Sequence, residues 1–366
     1  NIGYSYFKLK KYPTAAKEFQ NFINTKNEDM TMNDDATIRM GDSFFATKEY
    51  RKSIEAYKKV VDQYGASADY AQYQMAMSYG FLEKNNFKIR ELENLLTNFE
   101  LSNFRDDALF QLGNTYSAQK DTKNAHIAYK KLFQNFPKSS YTARALLRDG
   151  LLFYNDNKNV KALKNYQEIV AKYPNSSEAR EAVNNAKNVY IDLGTVDEYA
   201  VWVRGISFVN ITDAELDNTT YESAENKFLA NDVPKAIEGF KKYIQAFPKG
   251  LHALQANFYL AQLLVKTNLE EDAIVNYQYV LVLPQSEFSE EALNKLSQIL
   301  LEKEQWATAI PLLERLEQEA NLPLNIVYAQ SNLMKGYYQS QEYNKAVNYA
   351  EKILLQDKID AIVEYD

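Results

Sequence analysis

Phe136-Pro137-Lys138-Ser139-Ser140 returns later in the chain as Tyr173-Pro174-Asn175-Ser176-Ser177. The spacing is 37 residues, from Pro137 to Pro174. Three further landmarks keep it: Gly113 and Gly150, Ala125 and Ala162, Tyr129 and Tyr166. The stretch from Phe104 to Ser177 is therefore one pattern written twice. A period between about 20 and 50 residues marks a stacked array of supersecondary units. Such arrays serve as binding surfaces more often than as catalysts.

One unit runs from Asp106 to Pro137. Ala108, Leu109, Leu112 and Tyr116, then Ile127, Leu132 and Phe133, fall at helical spacing. A polar break, Gln119 to Lys123, separates the two runs, so each unit is expected to be a helical hairpin. Gly113 and Ala125 let the two backbones approach, and Tyr116 and Tyr129 fill the space around the crossing. Pro137 ends the second helix. Ser139 or Ser140 is placed to cap the helix that follows, an effect of about 1 kcal/mol.

A small residue, an aromatic, an alanine, a second aromatic and a proline in two helices resembles the tetratricopeptide repeat. That repeat is usually about 34 residues long; here the extra residues lie between the proline and the next helix. The resemblance implies an all-α fold, a right-handed superhelical solenoid of about ten TPR-like hairpins. The Phe/Tyr-Pro-x-Ser junctions are similar to those of bacterial cell-envelope proteins of the outer-membrane assembly lipoprotein and Tol-Pal coordinator type.

The composition fits. Of the 366 residues 46% are hydrophobic and 25% charged, which separates the chain from disordered sequences. Its 28 tyrosines and 19 phenylalanines supply the filler between helices, and 11 glycines and 8 prolines suit a mostly helical chain. A net charge of −7 disfavours a polyphosphate partner, so no nucleic acid is expected. Without cysteine there is neither a disulfide framework nor thiol chemistry. No apolar run is long enough to span a bilayer. Gly3 already sits at the small-residue site of a first helix, and Ala361 to Tyr365 reads as the opening of another helix. The expectation is an excerpt from a longer protein.

Taken in order, the landmarks are Gly3, Ala15 and Phe19; then Gly41, Ser53 and Tyr57, closing near Gly65; then Ala76 and Tyr79. In this third repeat Lys88 stands where alanine is expected, which predicts a looser helix crossing. The clean pair follows. The sixth repeat degrades, with Lys187 at the small-residue site and Tyr199 at the alanine site, although Gly194 offers a helix stop and Thr195 or Asp197 a restart. Gly205 to Asn218 breaks the pattern. Ile206 to Ile211 is extended in character, and Thr212-x-x-Glu215 and Thr219-x-x-Glu222 both have capping-box spacing. The alanines then resume at 236, 273, 309 and 346. The expected organisation is a first block at 1–204 of about six repeats with the sixth degenerate, an irregular junction at 205–218, and a second block at 219–366 of about four repeats plus the start of another helix. Trp202, Phe208 and Ile211 are apolar enough to form a substitute junction.

Candidate chemistry is sparse. The acidic pairs Asp34-Asp35, Asp106-Asp107, Glu271-Asp272 and Glu290-Glu291 all fall where a helix begins, where the backbone dipole favours carboxylates. Lys58-Lys59, Lys130-Lys131 and Lys241-Lys242 sit late in second helices, and the same dipole accounts for them. His126 and His252 lie in different halves with no metal-ligand spacing, so they read as surface or packing histidines. No phosphate-binding glycine loop occurs. No catalysis, cofactor or metal is expected.

What remains is the face that the resemblance makes concave, lined by one side of each first helix. Laid on this sequence, it takes in Ile38, Asp42, Tyr73, Met77, Phe110, Asn114, Leu147, Leu151, Tyr154, Phe258, Gln262, Asn294, Gln298 and Lys335. The alternative for some of these is contact with a neighbouring repeat. Phe110 beside Asn114, and Leu147 beside Leu151, do not supply the basic clamp by which some such proteins grip a chaperone's C-terminal carboxylate. The expected function is a non-catalytic protein–protein interaction scaffold in a bacterial periplasm or cell envelope, holding one or more protein partners. The alternatives are a cytoplasmic location, a peptide- or chaperone-binding adaptor, or the regulatory arm of an enzyme encoded outside this sequence.

Overall fold

The computed structural model describes residues 2–25 and 29–363, with side chains described through residue 355. The described residues form twenty α-helices and no strand, arranged as ten consecutive hairpins. They are α1 (Ile2–Lys8) with α2 (Tyr12–Ile23), α3 (Met30–Ala46) with α4 (Tyr50–Asp62), α5 (Ala68–Phe81) with α6 (Asn85–Asn98), α7 (Arg105–Ala118) with α8 (Thr122–Asn135), and α9 (Thr142–Asn155) with α10 (Asn159–Lys172). Then come α11 (Ser177–Leu193) with α12 (Val196–Arg204), α13 (Asp213–Leu229) with α14 (Val233–Ala246), α15 (Ala253–Lys266) with α16 (Glu270–Val282), α17 (Ser289–Glu302) with α18 (Trp306–Glu319), and α19 (Pro323–Gln339) with α20 (Tyr343–Val363). The chain divides into two compact units, 1–189 and 190–366, and the division falls inside α11.

The crossing of each hairpin explains its small residue. A Cβ added at Gly113 would lie 2.5 Å from Cδ1 of Tyr129, and one at Gly150 would lie 2.6 Å from Cε1 of Tyr166. Gly3 meets Phe19 and Gly41 meets Tyr57 in the same way. In each case the glycine precedes its aromatic by 16 residues, as 113 precedes 129. Tyr57, Tyr129 and Tyr166 are fully buried, so these rings have nowhere to retreat. The alanines at 15, 125, 162, 236, 273 and 309 are also fully buried, which places them at the crossings the sequence assigned to them.

The turn inside each hairpin is also repeated. Lys10, Lys48, Glu83, Lys120, Asn157, Gly194, Asn231, Asn268, Glu304 and Gln341 all have φ between +55° and +75°. This is the left-handed region, which disfavours a side chain by about 1–2 kcal/mol. Only Gly194 relieves that cost with glycine, as the helix stop read at that position requires.

Several expectations are corrected. Lys88 does not loosen its crossing: Ala76 and Leu92 are fully buried, and the Lys88 stem lies over Gly80, where a Cβ would meet Cδ at 3.0 Å. Ala186, one position before Lys187, is fully buried. Ile206 to Ile211 forms turns and coil because no neighbouring strand is available to pair with it. The irregular connection is only 205–212. Thr212 opens α13 with a complete capping box, its Oγ1 accepting from the Glu215 N–H and Glu215 accepting from the Thr212 N–H. Thr219 is a buried residue inside α13 whose hydroxyl donates to the Glu215 carbonyl. Ala361 continues α20 and does not open a new helix, while residues 364 and 365 lie outside the described residues. Ser176 Oγ caps α11 by accepting from the Ala179 N–H at 3.2 Å, whereas Ser139 Oγ accepts from Tyr141 N at 3.1 Å.

The acids at first-helix starts do more than answer a dipole. Asp34 Oδ2 accepts from Ala66 N at 2.8 Å, Asp217 Oδ2 from Leu251 N at 2.8 Å, and Glu290 from the N–H groups of Asn321 and Leu322 at 2.9 and 3.0 Å. Each carboxylate thus pins the loop that opens the next hairpin. Gly65 and Gly250 stand where a side chain would strike Asp34 and Asp217.

Candidate partner-binding face

The first helix of a hairpin offers two kinds of position to the face under discussion. One lies three residues before the small residue and the other one residue after it. The structure treats them differently.

Ile38, Phe110, Leu147 and Phe258 occupy the earlier position and are 3%, 5%, 7% and 4% exposed. They belong to the core. Ile38 packs with Ala68, Ala71 and Met75 of the following hairpin. The Phe110 ring stacks on Tyr141 with centroids 5.0 Å apart, and Phe258 lies 4.6 Å from Phe288. These side chains seal one hairpin to the next, so a partner does not reach them.

The later position carries Asp42, Asn114, Leu151, Gln262 and Gln298. Asp42 Oδ1 accepts from Tyr57 Oη at 2.8 Å and Tyr70 Oη at 3.0 Å, while Oδ2 accepts from Arg39 Nη1 at 2.8 Å. Burial, reinforced by the Asp42 charge, pushes the Tyr70 phenol up to about 12. Asn114 Oδ1 accepts from Tyr129 Oη at 2.9 Å, and burial pushes that phenol up to about 12 as well. At the next hairpin Leu151 has no acceptor to offer, and the buried Tyr166 hydroxyl is left without a partner. Leu151 itself is 46% exposed.

This difference predicts a contrast. Tyr129→Phe is expected to cost about 1 kcal/mol, because it removes the bond to Asn114. Tyr166→Phe is expected to leave stability unchanged or raise it by about 1 kcal/mol, because it deletes an unpaired buried hydroxyl. Urea midpoints of the two variants decide the matter. Equal losses in both would show that the Tyr166 hydroxyl has a partner.

Tyr73 and Met77 are half-buried on α5. Tyr73 stacks on Phe104 with centroids 5.4 Å apart and donates to Asp107 Oδ1 at 3.3 Å. Asp107 also accepts from Tyr141, and that bond, with burial, pushes the Tyr141 phenol up to about 12. Tyr154 is half-buried at the far end of α9. The first unit therefore brings together a file that the sequence reading only partly named: Asp42, Tyr70, Tyr73, Phe104, Asp107 and Tyr141. Two carboxylates each stand between a pair of phenols. Tyr70, Phe104 and Tyr141 were missed because they lie at helix starts, outside the landmark pattern. The recurrence of an aromatic just before or inside the first turn was the available signal.

In the second unit the face is polar. Gln262 Nε2 donates to Glu291 at 2.8 Å, Gln298 Nε2 to Asn294 Oδ1 at 2.6 Å, and Asn294 Nδ2 to Asn325 Oδ1 at 2.7 Å. Lys335 is exposed. The histidines are packing residues. His126 stacks on Phe153 at 3.9 Å and its Nδ1 lies 2.5 Å from Asp149, while His252 stacks on Tyr221 at 4.2 Å. Among the described residues no group of three or more His, Cys, Asp or Glu is placed to hold a metal, and no helix is long and apolar enough to cross a membrane.

A small residue seated on an aromatic of the partner helix, repeated at Gly3, Gly41, Gly113 and Gly150, defines an array of helical hairpins. More particularly, the family model of the tetratricopeptide repeat matches residues 35–67, 107–139 and 144–176, which fall on the second, fourth and fifth hairpins. No curated protein matches the sequence significantly. Among solved structures the chain is similar to MamA, at 19% identity and a TM-score of 0.39, over 47% of this chain and 94% of that one. It is also similar to a tetratricopeptide repeat protein from Parabacteroides merdae, at 14% identity and 0.36, over 74% and 99% of the two chains. The C-terminal part of a TPR repeat-containing protein from Cytophaga hutchinsonii gives 15% identity and 0.38, over 71% and 99%.

Proposed function

We propose that this chain is a non-catalytic scaffold that holds a protein partner on the first-helix face of its first unit, within a bacterial cell-envelope assembly. The observation that carries the reading is the Tyr73–Phe104–Asp107–Tyr141 cluster. Half-buried aromatic rings, held rigid by stacking and by hydrogen bonds to a carboxylate, lose little entropy on binding and are the residue types enriched at protein interfaces. Leu151, on the helix that Tyr141 precedes, offers accessible apolar surface. The envelope assignment is supported by the Phe/Tyr-Pro-x-Ser junctions at 136–139 and 173–176.

The test is capture of the partner by the full chain in its native cell. Tyr73→Ala with Tyr141→Ala is expected to reduce partner recovery at least tenfold while leaving the helical signal intact. Undiminished recovery would remove this face from consideration. Recovery of the same partner from the cytosolic fraction alone would overturn the envelope assignment.

A further inference from the structure

The second unit contains a cleft of about 690 Å³ bounded by α12, α13 and α14. Its origin is local. α12 has nine residues, whereas α14 has 14, so α12 leaves the end of α14 without a full-length neighbour. Ala200, Ala224, Gly239 and Ala246 line it with small side chains, and Val196, Leu216 and Phe247 add apolar walls. Close approach of α13 to α14 fixes the floor, since a Cβ on Gly239 would lie 2.9 Å from that of Ala224.

The cleft is not part of the first-helix face. α13 turns Thr220, Ser223, Ala224 and Lys227 toward it, and turns Asn218, Tyr221, Glu222 and Glu225 toward the start of α15. Its charge also runs against that of the whole protein. Arg204, Lys227, Lys235 and Lys242 line it against only Asp197 and Glu238, in a chain whose net charge is −7. Lys242 is steadied by Glu238 at 2.9 Å, Lys235 by Asp232 at 3.0 Å and Arg204 by Asp213 at 3.2 Å, and Lys227 donates to the Asp192 carbonyl at 2.6 Å. One lining residue has an unmet need: Thr195 Oγ1 is buried without a hydrogen-bond partner. Thr195 is also the N-cap of α12, yet its side chain caps nothing. That hydroxyl has no accessible surface, so it marks an uncapped helix start and is not itself a contact for a ligand.

We propose that this cleft is a second docking site, and that its occupant is a peptide segment of a partner protein in which aliphatic side chains are flanked by carboxylates. The aliphatic groups fill the small-residue floor. The carboxylates meet the cationic rim and the uncapped start of α12, where backbone N–H groups favour negative charge. A basic peptide would bring no carboxylate to Arg204 and the three lysines and is disfavoured.

The experiment uses the full chain and three fluorescein-labelled decapeptides: one of leucine and glutamate, its leucine–lysine counterpart, and one of serine and glutamate. Fluorescence anisotropy is expected to show saturable binding of the leucine–glutamate probe alone. Ala200→Trp, which fills the cleft, and Lys235→Glu with Lys242→Glu, which reverses its rim, should each weaken that binding at least tenfold. If Ala200→Trp does not fold, the rim variant at two exposed lysines decides. Tyr73→Ala with Tyr141→Ala in the first unit should leave the binding unchanged, which separates this site from the face proposed above. No saturable binding, equal binding of the leucine–lysine probe, or binding indifferent to the rim variant would each overturn the proposal.

Discussion

Gly113→Leu is expected to destabilise the first unit by about 3 kcal/mol, toward the upper end for overpacking a tight core. The side chain would enter space already held by the Tyr129 ring, where even a Cβ lies 2.5 Å from Cδ1. Tyr129 is fully buried and its hydroxyl is tied to Asn114, so the ring cannot swing aside without breaking that bond. Gly113→Ala should cost less, because alanine regains about 1 kcal/mol of helix propensity. The decisive arm is Gly113→Leu with Tyr129→Ala, which should recover part of the loss by exchanging the sizes of the two residues. The chain itself varies this pair, with Ala76 matched to Leu92 and Ser297 to Leu313, all four buried. Stability in such arrays is a sum of repeat and nearest-neighbour terms, so the damage should stay near the fourth hairpin. Urea unfolding with hydrogen exchange measures both the size and the spread. A single variant as stable as the parent, or a double variant no better than the single, would mean that glycine and tyrosine do not share a crossing.

Asp217→Ala is expected to cost about 3 kcal/mol in the second unit. Its buried carboxylate accepts from Tyr243 Oη at 2.6 Å and from Leu251 N at 2.8 Å, and each bond to a charged acceptor contributes about 1.5–3 kcal/mol. Alanine would leave both donors without that acceptor, and the loop at Gly250 would lose its anchor to α13. Asp213, four residues earlier on the same helix and exposed, provides the control. Among the described residues its ion pair is with Arg204, at 3.2 Å on the surface, so Asp213→Ala should change little. Denaturant midpoints of the two variants test the distinction. Comparable losses would show that these acids act through the helix dipole alone.

The hairpins were legible because one physical demand, close approach of two helices, writes a small residue against a large apolar one at most periods, an aromatic in the clean repeats. The turns were not. Their left-handed residue is Lys, Glu, Asn, Gln or Gly, so no residue type announces it, and only the backbone reveals the recurrence. The role of Asp34, Asp217 and Glu290 was hidden for a different reason. Their loop partners lie 31 to 34 residues ahead, as 251 lies ahead of 217, beyond any local pattern. Ile38 and Asp42 are one helical turn apart and share a face, yet the following hairpin buries the first among apolar side chains and meets the second through the Tyr70 hydroxyl. Sequence spacing gives the side of a helix and not how far a neighbour reaches across it. Thr212 and Thr219 show the same limit, since both had capping spacing and only Thr212 lies at a helix start.

The central claim is that the first-helix face of the first unit contacts a protein. Photo-crosslinking tests it most directly, with p-benzoylphenylalanine placed at Leu151 on that face or at Val160, which is 74% exposed on the second helix of the same hairpin. The account predicts a protein adduct from position 151 in the native cell, none from position 160, and loss of the 151 adduct when Tyr73→Ala and Tyr141→Ala are added. Adducts from position 160 alone, or a 151 adduct untouched by the double variant, would contradict it.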